Sequence, residues 1–322
     1  MKNSKKYFIA GFLSYVIWGF VPIFFKQISA HDPYEIIFYR IWIAATVITI
    51  VLGLNFKKSW SDISSLYRRS VKDFMRMISL NVIGALLLVT NWITYVYVIN
   101  NISVNAGSFA YLILPIVTTF LAFFILKEKL NSSKWTGVIL SGISCYLMAH
   151  VDIHQITYIA CITFSYSFYM ITQKRNTFLN RKTALAIQMI IGALVMLIIN
   201  PAPAIGSVLD THFWIFITII SVVFTITPLL LNLFALNGME SSQLAFLIYI
   251  NPIVSFLIGL FVYNEKLDPL AVIAYTLLAV SIVIFNWDLI VKIVERSSGI
   301  KFKPIPVEIE SSEKTKTSDG TR

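Results

Sequence analysis

Long apolar segments recur along almost the whole chain and leave little of it for anything else. A helix needs roughly 20 mostly apolar residues to cross the hydrocarbon core of a bilayer. Stretches of about this length are predicted at 7–28, 35–54, 76–98, 105–126, 135–150, 156–173, 183–200, 213–235, 242–263 and 269–291. Of the 322 residues, only 13% are charged, against about 25% in soluble domains. The sequence therefore predicts an all-α integral membrane protein with ten transmembrane helices, surrounded by membrane lipid.

Positive charge lies almost entirely on one side of this predicted topology. If the N-terminus is cytoplasmic, the loops and termini on that side contain 23 of the 26 Lys and Arg residues. The other side contains only Lys266. Because Lys and Arg concentrate in cytoplasmic loops, we expect a cytoplasmic membrane protein with both termini in the cytoplasm. We call the cytoplasmic side the basic face. Topology thus explains the net charge of +10, and no nucleic-acid partner is expected.

Two segments are predicted to lie outside the bilayer core. Residues 57–76 place Trp60, Ile63 and Leu66, then Val71 and Phe74, at helical spacing among basic residues. This pattern is typical of an interfacial amphipathic helix, with an ordinary basic loop as the alternative. Residues 297–322 are polar and predict a disordered cytoplasmic tail.

One predicted outer loop contains residue types that could bind a metal. The run from His150 to His154 alternates polar ligand types. Ligands on one short loop are usually a polar turn rather than a metal centre, so no metal is predicted.

The chain contains an internal repeat. When the sequence is shifted by 137 residues, Ser108–Asn131 aligns with Ala245–Asp268 and nine of 24 positions are identical. The matches include a proline within the helix and a Glu-Lys-Leu sequence at its end. The shift takes the fourth predicted helix onto the ninth, and an odd number of helices reverses the direction of crossing. The sequence therefore predicts a five-plus-five inverted repeat, the plan of many secondary transporters.

Several motifs resemble those of the EamA-type drug/metabolite transporters, and among them the RarD-like permeases. They run nearly the length of the chain: Tyr15 to Pro22, Pro33 to Arg40, Asn91-Trp92, Asn100-Asn101, Tyr111 to Pro115, Glu128-Lys129, Pro228 to Leu230, Gln243 to Pro252, and Glu265-Lys266. The resemblance implies ten helices in two inverted halves, here 1–150 and 151–296, and transport of a small organic solute.

Polar and aromatic side chains recur at similar depth in the predicted spans. Proline within a helix frees a carbonyl group, which a bilayer tolerates only against protein or a wet cavity. We therefore expect Pro115 and Pro252 to border a central cavity, with a structural kink as the alternative. The predicted substrate-binding residues are Trp18, Asn91, Trp92, Tyr95, Tyr111, Pro115, Tyr166, Tyr169, Gln188, Asn232, Tyr249, Asn251 and Pro252. Hydrogen bonding between helices is the alternative role for the polar ones.

Ionisable residues are sparse within the spans. Lys26, Glu35 and Arg40 fall toward the outer half of the membrane. They are predicted to form an ion-pair gate or to bind a charged solute, with a salt bridge that fixes the first hairpin as the alternative. Glu128 and Glu265 end the repeated helices, and we expect both to face neighbouring lysines and solvent.

These features favour a secondary transporter, or permease, that moves a small organic metabolite or drug-like solute by alternating access. We expect no enzyme, because no Ser/His/Asp set or paired midplane carboxylates occur in the spans. No glycine-rich phosphate-binding loop is present, so we expect neither direct ATP-driven transport nor a cofactor. A receptor or accessory binding protein without net transport is the alternative. Substrate, direction, coupling ion and oligomeric state stay open.

Overall fold

The computed structural model describes residues 4–28, 30–53, 56–101, 104–147, 156–199, 210–262 and 269–298, and every regular element in these ranges is helical. Two π-helical segments, Ala122–Leu126 and Val222–Ile226, and a 3-10 turn, Leu247–Tyr249, interrupt the α-helices. The α-helices are α1 Ser4–Gln27, α2 Pro33–Gly53, α3 Phe56–Arg69, α4 Val71–Asn101, α5 Val104–Leu121, α6 Ser132–Leu147, α7 Ile156–Arg175, α8 Arg181–Ile199, α9 Thr211–Ser221, α10 Thr227–Ala235, α11 Ser241–Phe246, α12 Ile250–Val262, α13 Pro269–Phe285 and α14 Trp287–Ser298.

Five of the described helices are individually long and apolar enough to cross a membrane. They are Lys5–Phe25, Tyr34–Gly53, Val71–Val98, Arg181–Ile199 and Thr211–Ala235. A sixth exists if α13 and α14, which are bent by 59° relative to each other, form one span. The chain is thus a multi-pass membrane protein, while ten crossings stay a prediction.

The remaining predicted spans coincide with helices that are shorter, interrupted or more polar. Helix α7 has 20 residues but carries Ser165, Ser167 and Gln173, all of them buried. Their burial shows that this helix packs inside the bundle, where polar side chains can bond to other helices. The fourth and ninth predicted spans are divided by a π-helical segment and a 3-10 turn.

Helices of the first predicted half pack mainly on helices of the second. Helix α1 contacts α10 and α12, α7 contacts α4 and α5, α2 contacts α8, α5 contacts α11, and α6 contacts α13. Gly19 permits a close approach, because a Cβ atom there would lie 2.5 Å from the Cβ atom of Val254. The buried core therefore lies at the interface between the two predicted halves, which we call the seam.

Three helix ends differ from the approximate bounds predicted from the sequence. The tenth span was predicted to reach residue 291, but the helix breaks at Asn286 and α14 begins at Trp287. The predicted amphipathic stretch 57–76 is two helices, because the hydroxyl of Ser70 caps α4 by accepting from the Asp73 N–H at 3.2 Å. Helix α14 continues to Ser298, past the predicted start of the tail. The His150–His154 run and residues 299–322 lie outside the described residues.

Candidate functional site

Asn91 of α4 lies at the centre of a buried hydrogen-bond network on the seam. Its amide donates to the Ile162 carbonyl of α7 at 2.9 Å and to the Ser165 hydroxyl at 3.4 Å. Its carbonyl oxygen accepts from the Tyr111 hydroxyl of α5 at 3.1 Å. Two predicted site residues are thus brought together. The bonds of Asn91 are internal, so truncation is expected to reduce folding stability as well as activity.

Arg40 of α2 reaches the same region. Its Nε atom donates to the Thr225 hydroxyl at 2.7 Å, and its guanidinium carbon lies 4.7 Å from the ring centroid of Trp92. Tyr95 and Tyr111 are within electrostatic range. In the described part of the chain, no carboxylate forms an ion pair with Arg40.

The other two predicted gate residues are placed less completely. Glu35 lies in the first turn of α2, near Tyr39, rather than against Arg40. Lys26 belongs to α1, but its side chain is outside the described part of the structure. The salt bridge that would fix the first hairpin stays a prediction, because the Lys26 side chain lies outside the described part of the structure.

The π-helical segment Val222–Ile226 contains the hydrogen-bond acceptor of Trp18. Pro228 lacks an N–H group, so the carbonyl of Phe224, four residues earlier, has no helical donor. The Trp18 indole donates to this carbonyl at 3.0 Å. The hydroxyl of Thr225, in the same segment, donates to the Ile220 carbonyl at 2.9 Å while accepting from Arg40. The irregular helix therefore positions both side chains.

Tyr15 is a seam residue that the predicted set omits. Its hydroxyl accepts from the Asn232 amide of α10 at 2.8 Å, and its side chain is fully buried. Tyr15 and Trp18 are three residues apart on α1, which places them on one helix face, and their ring centroids are 5.4 Å apart. The three-residue spacing from Trp18 was the sequence signal that could have identified Tyr15.

A row of tyrosines crosses the seam from α4 to α7. Ring centroids are separated by 5.1 Å between Tyr95 and Tyr111, 6.5 Å between Tyr111 and Tyr166, and 5.7 Å between Tyr166 and Tyr169. The hydroxyls of Tyr166 and Tyr169 are buried and have no partner in hydrogen-bonding geometry among the described residues. Buried polar groups are nearly always paired, so these hydroxyls require an explanation.

Gln188 lies in a second cluster, composed of amides. Its Nε2 atom donates to Asn81 at 3.1 Å and to Gln173 at 3.2 Å, and Asn176 also donates to Asn81 at 3.1 Å. Gly84 packs closely on this cluster, because a Cβ atom there would lie 2.7 Å from the Nε2 atom of Gln173. Gln188 is therefore separate from the Asn91 network.

The site residues predicted on the second repeated helix differ in burial. Tyr249 is buried with its ring 5.5 Å from Phe246, beside Cys145 of α6. Asn251 and Pro252 are half-buried, and the 3-10 turn Leu247–Tyr249 directly precedes them.

Pro115 on the other repeated helix is buried. The nearby carbonyls of Ala110 and Leu112 accept from Thr163 at 3.0 Å and from Cys145 at 3.3 Å. Neither is the Tyr111 carbonyl that Pro115 frees, so the cavity and the structural kink both stay predictions for Pro115.

Glu128 corrects a prediction. It does not face lysines and solvent; its carboxylate caps the first turn of α11. The carboxylate accepts from the Ser241 N–H at 2.7 Å, the Ser242 N–H at 3.1 Å and the Ser242 hydroxyl at 2.5 Å. An anion is favourable at a helix N-terminus. Beside this cap, Lys134 forms an ion pair with Glu240. We call these contacts of Glu128, Lys134, Glu240, Ser241 and Ser242 the latch.

Lys174 adds positive charge beside the latch. Its ammonium donates to the Leu236 carbonyl at 2.8 Å and to the Met239 carbonyl. Burial lowers the pKa of Lys174 below its ordinary value, and the Glu128 carboxylate opposes that shift. The latch is therefore a compact group of charges that joins the two predicted halves.

These features together define a class of protein. Apolar helices cross a membrane, and polar groups are buried where the helices meet rather than exposed to lipid. Such burial within spans marks sites and pathways of solute movement. The class is that of the multi-pass membrane transporters.

The EamA-like transporter family matches residues 5–149 and 155–287, and the chain belongs to this family. The uncharacterized transporter YojE of Bacillus subtilis is 26% identical over 295 residues, with 89% of this chain and 95% of that protein covered. Protein RarD of Escherichia coli is 25% identical over 296 residues, with 90% and 96% covered. A solved crystal structure shares the fold, with a TM-score of 0.68, 13% identity and 87% of this chain covered.

Proposed function

We propose that the chain is a secondary transporter that moves a small organic solute across the cytoplasmic membrane by alternating access. Ten transmembrane helices form two inverted halves, with both termini on the cytoplasmic side. The solute binds at the seam, between the Asn91 network and the tyrosine row.

The observation that carries this proposal is the symmetry of helix pairing. A two-fold exchange of the halves would relate predicted spans one and six, two and seven, and so on. Helix α1, the first span, packs on α10 and α12, which belong to the eighth and ninth spans. Helix α7, the sixth span, packs on α4 and α5, the third and fourth spans. The same two-fold exchange leaves the contacts α2–α8, α5–α11 and α6–α13 unchanged, because the two helices of each pair trade places. Inverted repeats of this kind place the binding site at their interface.

Two asparagines follow the same symmetry. Asn91, on the third span, donates to α7, the first helix of the second half. Asn232, on the third span of that half, donates to Tyr15 on α1, the first helix of the first half. Equivalent bonds on the two sides of the seam are expected if one axis relates the halves.

The latch supplies a gate for alternating access. The loops that carry Glu128 and Glu240 belong to opposite halves and to the same predicted basic face. Their contacts join the two halves at that face. For a solute to pass, the contacts must break as the halves rock, so the latch stabilises the state closed to the cytoplasm.

The test begins with untargeted metabolite profiling of cells and medium, comparing a deletion strain with its complement. The solute that differs is then followed in proteoliposome counterflow. We expect saturable flux that Tyr166→Phe reduces, because the Tyr166 hydroxyl lies beside Tyr15 within the proposed solute site. Tyr146→Phe is the matched control, because the Tyr146 side chain is 81% exposed on α6 and is not part of the tyrosine row.

Each possible outcome has a defined consequence. Saturable binding without flux would support the receptor alternative, and a chemically altered solute would identify an enzyme. Equal flux in the Tyr166→Phe and Tyr146→Phe proteins would remove the tyrosine row from the pathway.

A further inference from the structure

Arg40 is a cation inside the seam that no carboxylate among the described residues neutralises. Arg40 lies seven residues into α2, about 10 Å along the helix from its start. In the described part of the chain it has no carboxylate partner, and its only hydrogen bond in that part is the one from Nε to Thr225. A charged side chain within a membrane protein is costly unless it is paired or bound to a ligand.

The orientation of Arg40 leaves its donors available. The Nε atom is bonded to Thr225, the Trp92 ring covers the guanidinium at 4.7 Å, and the Phe25 ring lies at 5.8 Å. The terminal nitrogen atoms, which together make the fork that binds a carboxylate in a bidentate manner, have no hydrogen-bond acceptor among the described residues. The side chain is half-buried, so part of it is accessible.

The second half shows that helix packing alone does not require this charge. Gln188 lies at the same distance from the start of α8 as Arg40 does from the start of α2. There Gln188 is a neutral amide that donates to Asn81 and Gln173, while its own Oε1 atom has no hydrogen-bond partner among the described residues. Helix packing alone therefore does not account for the charge of Arg40 in the first half.

We propose that Arg40 recognises an oxyanion, most simply a carboxylate, on the transported solute. This inference rests on the proposed function and names its substrate class. Arg40 supplies the charge and the paired donors, while the flanking Trp92 and Tyr95 rings accept an organic group attached to the anion. Arginine suits this role because its planar fork matches a carboxylate and its face stacks on an aromatic ring.

The test measures binding to the purified full-length protein in detergent by calorimetry. Three matched anion–amide pairs serve as probes: propionate and propionamide, phenylacetate and phenylacetamide, indole-3-acetate and indole-3-acetamide. We expect at least one carboxylate to bind about tenfold more tightly than its amide, since hydrogen bonds to charged groups are the stronger ones. Arg40→Gln should abolish the preference, and Arg40→Lys should weaken it. Arg69→Gln, a change at an exposed residue of α3, should leave it intact.

A stability measurement separates recognition from a structural role. Ligand-free Arg40→Gln should unfold at or above the temperature of the wild type, because it removes an unpaired charge and its amide can still donate to Thr225. The proposal is overturned if every carboxylate and amide pair binds equally, or if Arg40→Gln keeps the preference for the anion. Binding is measured here without transport. If the protein prefers the anion but moves no solute, the transport proposal is contradicted and the proposal for Arg40 is not.

Discussion

At the scale of single residues, the seam depends on side chains that complete irregular helices. Pro228 removes one backbone donor from the eighth predicted span, and the Trp18 indole replaces it on the Phe224 carbonyl. Thr227 donates to the Val222 carbonyl at 2.9 Å in the same segment. Freed backbone groups in a membrane protein must be satisfied in this way, so α1 is tied to the π-helical turn that positions Thr225.

This arrangement predicts coupling between Trp18 and Pro228. Trp18→Phe should reduce the free energy of unfolding by about 1 kcal/mol, the usual net value of one hydrogen bond. In a Pro228→Ala background the cost of Trp18→Phe should fall, because the main-chain N–H restored at position 228 can donate to the Phe224 carbonyl. Thermal unfolding of the four proteins in detergent measures the difference.

Trp287→Phe, at an exposed tryptophan of α14, provides the control for loss of an indole. If Trp18→Phe costs the same in both backgrounds, the proline does not create the acceptor that Trp18 occupies.

The candidate site was only partly accessible from the sequence. Asn91 and Tyr111 were predicted together because amide and phenol groups are rare at that depth, and the structure joins them. Tyr15 was missed, although its spacing from Trp18 was visible, because its partner Asn232 is 217 positions away. The unpaired state of Arg40 depends on which side chains surround it in three dimensions, and no local pattern indicates that.

At the scale of helices, hydropathy located the elements and tertiary bonds determined their breaks. Apolar length predicted α1, α2 and α4 closely because lipid exposure selects apolar residues over a fixed thickness. The π-helical segments accept donors from other helices, from Trp18 at the Phe224 carbonyl and from Arg175 at the Ile125 carbonyl, so they were not predictable. The cap formed by Glu128 was not predictable either, because its partners belong to α11 in the other half.

The cap of Glu128 on α11 predicts how the basic face opens. Ser241 is fully buried, so Ser241→Cys should react slowly with a maleimide in a background that lacks Cys145 and Cys161. Glu128→Ala should increase the labelling rate about tenfold or more, because it removes charge-assisted bonds. Lys129→Gln, at the neighbouring exposed residue, is the matched control. Equal rates in all three proteins would show that the latch does not hold this face closed.

At the scale of the whole molecule, the proposed transport mechanism requires two halves that cross the membrane in opposite directions. Loops rich in Lys and Arg meet one another at one end of the bundle, where Arg175 of α7 donates to the Ile125 carbonyl at 3.0 Å and Lys134 pairs with Glu240. Aromatic contacts such as His31 with Phe213 lie at the other ends of their helices. This distribution agrees with the positive-inside rule and with one symmetry axis in the membrane plane.

The most direct test is to label the two ends of the repeated helices. Lys127→Cys and Asp268→Cys, introduced singly into a chain without Cys145 and Cys161, report the faces on which the fourth and ninth predicted spans end. In sealed right-side-out vesicles an impermeant maleimide should label Asp268→Cys and spare Lys127→Cys, with the reverse in inside-out vesicles. Labelling of both positions from the same side would contradict the inverted repeat and the alternating-access mechanism built on it.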